Sequence, residues 1–164
     1  MPVHALPLML VRHAVAEDEH ALGDEARALT VEGRAAFRQH ARKLARLTPM
    51  TGILTSPLVR AVQTAEILAE AFGLAQVEVH QALLPLDHAH KRIVELAAEV
   101  GPGWALVGHN PSLARAGKLA LGEALPDKLR KGTVLAMMPA GKRFTFAWMA
   151  APGRSVLRPD SPRG

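Results

Sequence analysis

Arg12 and His13 stand side by side at the end of an apolar run, Leu8-Met9-Leu10-Val11. A guanidinium is a planar fork of donors that can grip an anion at two points. An imidazole titrates near neutrality and can act as a nucleophile. Arg60 comes shortly after a second run, Gly52-Ile53-Leu54-Thr55, across Ser56-Pro57. His109 comes directly after a third, Trp104-Ala105-Leu106-Val107-Gly108. Taken singly, each has a bland reading: a polar strand end, a solvated helix arginine, a structural histidine. Their joint meaning depends on whether the fold sets the three runs side by side.

The elements that would do so are legible in order. Residues 7–12 read as a first strand, apolar throughout as a buried parallel strand should be. Residues 14–29 read as a loop or short helical piece carrying Glu17, Asp18, Glu19, Asp24 and Glu25. Thr30 suits a helix N-cap, with Glu32 in the first turn, and the helix runs to about Leu47 with Phe37, Ala41 and Leu44 on one face. Pro49 ends it. Residues 52–55 form a second strand. Ser56 then reads as an N-cap and Pro57 as the first helical residue. That helix shows Leu58, Ala61, Ala65, Leu68 and Phe72 on one face and stops at Gly73. Gln76–His80 alternate as a short strand, residues 82–88 loop, and Ile93, Leu96, Ala97 and Val100 mark a third helix. Gly101-Pro102-Gly103 breaks it. Residues 104–107 are a fourth strand, and Pro111 opens a fourth helix. Thr133–Met138 and Arg143–Met149 read as a hairpin around Pro139-Ala140-Gly141-Lys142. Residues 1–150 form one domain. Residues 151–164, rich in Pro, Gly and Arg, read as a disordered basic tail.

Strands alternating with helices imply an α/β/α sandwich, three layers around a mostly parallel central sheet. In such sheets ligands sit beyond the carboxyl ends of the strands. Arg12, His13, Arg60 and His109 then face one space. Two arginines and two histidines compose a pocket for a dianionic phosphoryl group, and helix starts after Ser56 and Asn110 would add positive potential. No carboxylate cluster is visible that would hold a metal between substrate phosphates. Phosphoryl transfer depends mainly on positioning and charge stabilisation, so side chains alone can carry it.

Composition narrows the classes. Cysteine is absent, which excludes thiol catalysis, disulfides and thiolate metal sites. Lys and Arg number 20 against 15 Asp and Glu, a formal charge of +5. The cations are dispersed and aromatics make up only 4% of residues, so a nucleic-acid partner is not expected. No run approaches the roughly 20 apolar residues of a membrane span, and no signal peptide is apparent. A cytoplasmic location and no membrane partner are the expectation. Asp87-His88-Ala89-His90 reads as a solvated helix start, not a metal site, because no matching ligand pair stands elsewhere. His4, His20, His40 and His80 read as ordinary.

Three blocks of the chain carry a resemblance. Leu10-Val11-Arg12-His13-Ala14 is similar to the signature of the histidine phosphatase superfamily, the group containing phosphoglycerate mutases and acid phosphatases. Thr55-Ser56-Pro57-Leu58-Val59-Arg60-Ala61-Val62-Gln63-Thr64-Ala65 resembles its second block, and Val107-Gly108-His109-Asn110-Pro111 its third. The similarity spans about residues 7–150. The short chain, lacking a large inserted cap, looks most like the SixA-type phosphohistidine phosphatases. The resemblance implies a phosphoglycerate mutase-like fold, His13 as nucleophile, and Arg12, Arg60 and His109 as phosphoryl ligands. It implies no metal, and no cofactor is expected. The usual Glu-based proton-donor motif between the second and third blocks is absent. Asp87, in Leu84-Pro85-Leu86-Asp87-His88, is the nearest candidate acid.

Three functions follow as alternatives. The first is removal of phosphate from phosphohistidine of a protein. The second is hydrolysis of a small phosphorylated metabolite in the same pocket. The third is a non-catalytic phosphate-binding module. The partner is accordingly a phosphorylated protein or a small phosphorylated molecule, and oligomeric state is left open.

Overall fold

In the computed structural model, residues 5–160 are described. A six-stranded sheet with order β3-β2-β4-β1-β5-β6 forms the middle layer. Its strands are β1 (Leu8–Arg12), β2 (Gly52–Thr55), β3 (Glu78–Val79), β4 (Trp104–Gly108), β5 (Val134–Ala140) and β6 (Arg143–Ala150). β3, β2, β4 and β1 run parallel, while β5 and β6 pair antiparallel. The helices are α1 (Val31–Leu47), α2 (Val59–Phe72), α3 (Ala89–Val100) and α4 (Ser112–Leu121). The expected mixed α/β sandwich is the fold observed.

Alternation along each strand builds two cores. Met9, Val11, Ile53, Ala105 and Val107 face one side and pack under α1 and α2 with Phe37, Ala41, Leu44, Ala65 and Leu68. Leu8, Leu10, Leu54 and Leu106 face the other side, under α3 and α4 with Ile93, Leu96 and Leu113. Each such fully buried side chain contributes about 1.5–3 kcal/mol, against about 1 kcal/mol for a helix cap, so packing of these faces holds the layers. Caps decide where the helices begin. The Thr30 hydroxyl accepts from Gly33 N at 2.9 Å, as its type suggests. Gly73 ends α2 in the left-handed region.

Several local details differ from the sequence reading. α2 starts at Val59 with Leu58 at the N-cap, and the Ser56 hydroxyl, two residues before Leu58, accepts from Leu58 N at 3.3 Å and lies 2.8 Å from His109 Nε2. α4 starts at Ser112, one residue later than expected. β3 is only two residues long. The hairpin turn is tighter than expected, since pairing continues to Ala140↔Arg143 around Gly141-Lys142, with Gly141 at φ 64°. Disorder does not hold for residues 151–160. Leu157 bridges Met149 by reciprocal backbone bonds of 2.9 Å, and Val156 and Leu157 pack against the two cores. Two apolar side chains within the Pro/Gly/Arg-rich stretch are enough to fold it back. Residues 161–164 and His4 lie outside the described residues. Among those described, no helix is long and apolar enough to cross a membrane.

Candidate active site

Register brings the site together. Val11 on β1, Val107 on β4 and Thr55 on β2 lie in one row across the sheet. The residues that follow, Arg12-His13, Gly108-His109 and Ser56, therefore leave the sheet at one edge. Backbone bonds hold them in step: His13 N donates to Gly108 O at 3.0 Å, and Ser56 N to Val107 O at 2.9 Å. The His13 and His109 ring centroids are 5.2 Å apart. Arg60, the second residue of α2, is 4% exposed, and its charge and that of Arg12 bear on His13. All four expected residues share one space.

His13 is 7% exposed, and its Nδ1 lies 2.7 Å from Ala14 O. A carbonyl can only accept, so the proton sits on Nδ1 and the Nε2 lone pair is left free. Burial, together with the charges of Arg60, Arg12 and Arg27, pushes His13 down to about 4 despite that bond. Burial, His13 and Arg60 push His109 down to about 3. Both rings are neutral at pH 7, which is the state a nitrogen nucleophile needs. His109 Nε2 lies 2.8 Å from Ser56 Oγ, while its buried Nδ1 has no partner in the protein.

The guanidiniums are anchored at one end and unspent at the other. Arg12 Nη1 donates to Leu129 O at 3.1 Å. Arg60 Nη1 donates to Asp24 O at 2.9 Å and Nη2 to Asp24 Oδ2 at 3.2 Å. Nε of both arginines is buried without a hydrogen-bond partner. Buried donors are normally satisfied, so donors left over at a cationic edge are a place for an anion's oxygens. Among the described residues no cluster of three His, Cys, Asp or Glu stands close enough to hold a metal ion.

Asp87 is exposed in the turn entering α3, and among the described residues no hydrogen bond or ion pair ties it to this group. The carboxylate whose charge reaches His109 belongs to Asp24. His88 and His90 have ring centroids 6.3 Å apart on the same turn.

Sequence reasoning missed several positioning residues. Thr64 Oγ1 donates to Arg60 O at 2.8 Å and accepts from Ala14 N at 3.0 Å, tying α2 to the loop that bears His13. Asn110 Nδ2 donates to Leu129 O at 2.9 Å, the same carbonyl that receives Arg12. Ser56, expected only as a cap, accepts from Leu58 N and also lies against His109 Nε2. Asp24, one of the acids expected in the loop, pairs with Arg60, and Arg27, which the sequence did not single out, pairs with Asp24. Thr64 lies on the buried face of α2, a polar residue among alanines, and that was the available signal.

Residues 8–112 match the family model of the histidine phosphatase superfamily, branch 1. The chain belongs to that superfamily. An uncharacterized protein of Picosynechococcus sp. is 37% identical to it over 113 residues, 66% of this chain and 68% of that one. Among solved structures, the protein histidine phosphatase SixA complexed with tungstate superposes with a TM-score of 0.78 at 22% identity, covering 90% of this chain and 97% of its own. A mycobacterial glucosyl-3-phosphoglycerate phosphatase superposes at 0.67 with 17% identity, covering 87% and 97%. These similarities establish the phosphoglycerate mutase-like histidine phosphatase fold. They do not choose a substrate, because one fold carries several leaving groups.

Proposed function

We propose that this superfamily member is a metal-independent phosphatase that takes the phosphoryl group onto His13 Nε2 and passes it to water, acting on phosphohistidine of a protein. The observation that carries the reading is the Nδ1–H of His13 committed to Ala14 O, beside guanidiniums with unspent buried donors. In the first step the Nε2 lone pair attacks phosphorus as the bond to the leaving group breaks. Arg12 and Arg60 hold the equatorial oxygens, and His109 supports the charge from the other side. In the second step water attacks phosphorus, loses a proton, and frees His13 and inorganic phosphate.

Two features favour a phosphoramidate over a phosphate ester. A departing alkoxide needs a proton donor, and Asp87 is not joined to the four site residues; a departing imidazole is protonated readily by solvent. A groove of about 470 Å³ is walled by Leu22, Ala26, Pro57, Leu58, Val59 and Leu84, among them residues next in the chain to the Asp24 loop and to Arg60. Its polar residues are Glu25 and Gln81 and it has no Lys or Arg, so it suits an uncharged segment of a protein better than an anionic metabolite.

Rates should be compared side by side on a phosphohistidine protein, free phosphohistidine and a panel of phosphate esters, with and without EDTA. The phosphohistidine protein should be the best substrate, and EDTA should change nothing. Rapid quench into alkali should trap label on His13, and His13→Ala should abolish label and turnover. His109→Ala should slow turnover while some label still forms. Faster ester hydrolysis would make it a metabolite phosphatase, phosphate binding without turnover a binding module. EDTA loss restored by a divalent ion would end the metal-free mechanism.

A further inference from the structure

We propose that Asp24 is a positioning residue whose main-chain carbonyl and carboxylate clasp the Nη end of Arg60 and draw Arg27 to the same point, so that both cations are set beside the histidines before a phosphoryl group arrives. The proposal rests on the phosphoryl-transfer reading above.

The clasp has three points. Asp24 O takes Arg60 Nη1 at 2.9 Å, Asp24 Oδ2 takes Arg60 Nη2 at 3.2 Å, and Asp24 Oδ1 lies 3.0 Å from Arg27 Nε. The Arg27 contact is an ion pair, since that N–H does not point at the oxygen. Only the Nη end of Arg60 is used, and its buried Nε keeps a free donor. A free arginine loses much rotamer entropy when it is fixed on a ligand, and fixing it beforehand moves that cost out of binding.

The loop is built to present this residue. Gly23, at φ 103°, and the 3₁₀ turn Asp24–Ala26 aim the carbonyl and carboxylate of Asp24 the same way. The His20 ring accepts from Leu22 N at 3.0 Å just before it. Just after it, Arg27 Nη1 donates to Glu17 O at 3.0 Å, and Ala28 N to Glu17 Oε1 at 2.8 Å. Leu29 N donates to Gln63 Oε1 of α2 at 2.8 Å. Both ends of the clasp are thus tied down, one to the loop itself and one to the helix that bears Arg60. The charge of Arg27 reaches both His13 and His109.

Asp24 is a poor proton donor. Its side chain is 68% exposed. Desolvation raises its carboxyl, but Arg60 and Arg27 outweigh that and hold it below the ordinary range. A rival role is competition, with the carboxylate holding a place that phosphate must take. The two roles predict opposite signs.

The test uses the full chain and its Asp24→Ala, Asp24→Asn, Arg27→Ala and Asp24→Ala/Arg27→Ala variants. Glu19→Ala, an exposed acid of the same loop without a partner, is the charge control. Calorimetry reads binding of inorganic phosphate and of tungstate, alongside KM, kcat and thermal midpoint. Asp24→Ala should weaken phosphate and raise KM by about tenfold, the scale of a lost charge-assisted contact. Asp24→Asn, which keeps an oxygen for Nη2, should recover part of that. The double variant should be little worse than Asp24→Ala alone, because without the Asp24 carboxylate neither arginine has its ion-pair partner. Glu19→Ala should bind as the wild type does. Tighter phosphate binding in Asp24→Asn would overturn positioning in favour of competition. Unchanged affinity and KM, with or without a lower midpoint, would reduce Asp24 to a surface ion pair. A wild type that binds neither anion and turns over no phosphorylated compound would overturn the phosphoryl reading itself, whatever the variants do.

Discussion

At His13 a short side-chain to backbone contact fixes which nitrogen can react. The Nδ1 contact with Ala14 O leaves Nε2 free for the nucleophile's role proposed above, and burial with three nearby guanidiniums keeps the ring neutral down to about pH 4. The acid limb of kcat/KM reports ionisation of the free enzyme. That limb is therefore expected near pH 4, not near the ordinary histidine value of 6.5, when measured with a substrate that does not itself titrate in the range. A limb centred at 6–7 would mean the active ring is far better solvated than the structure has it. Arg60 supplies the complementary charge. Arg60→Ala should cost on the order of 10²–10³ in kcat, as for loss of one preorganised transition-state donor. Arg60→Lys should rescue only partly, because an ammonium cannot hold Asp24 and phosphate with one rigid fork. Full activity in the lysine variant, read from kcat, would show that only a point charge is needed.

Between elements, the site depends on contacts that join the loop after β1 to α1 and α2. Thr64 is the joint to α2, accepting from Ala14 N and donating to Arg60 O. Thr64→Val keeps the shape and leaves the buried Ala14 N–H unpaired, which should cost about 1–3 kcal/mol by urea unfolding. It should also lower kcat, since Ala14 carries the carbonyl that fixes His13. A variant as stable and active as the wild type would remove Thr64 from the machinery. The joint to α1 is Gly33, where a Cβ would collide with Val15 O. The strands, the helices and the four residues at their ends could be read from periodicity, Pro and Gly punctuation and the ordered blocks. The joints could not. Thr64, Asn110 and Ser56 act through partners 50, 19 and 53 positions away, and no local pattern announces such pairs. Ser56 accepts from Leu58 N, as a turn-forming serine does, and its contact with His109 could not be read from that local role. Asp24 and Arg27 were hidden for a different reason: in a loop full of acids, only the folded path of residues 17–29 sets one of them on Arg60.

Over the whole molecule, the buried histidines link stability to pH. His13, His109 and His40 are all buried, and burial leads in depressing each of them, to about 4, 3 and 4. His40 lies far along α1 with Nε2 3.2 Å from Ala150 O, and its ring centroid is 5.8 Å from that of Phe37. In the unfolded chain these rings take up protons near 6.5, the ordinary value. Between that value and their folded values the unfolded state binds more protons, so stability rises with pH there. The stability from keeping these rings neutral is present above about 6.5 and is lost as pH falls through 4. Urea midpoints should therefore fall steeply from pH 6.5 to 4 and be flatter from 7 to 8. Inorganic phosphate should shift this balance at the site alone. A bound phosphate anion favours the protonated form of His13 and His109, so at pH 5.5 its binding should be accompanied by proton uptake beyond what the ionisation of phosphate itself accounts for, seen as a buffer-dependent binding enthalpy. His40, away from the pocket, provides the control. His40→Asn should flatten the midpoint-against-pH curve while leaving the phosphate-linked proton uptake unchanged. Uptake that vanished with His40→Asn, or a midpoint indifferent to pH between 4 and 6.5 in the wild type, would show that the three rings do not stay neutral in the folded protein.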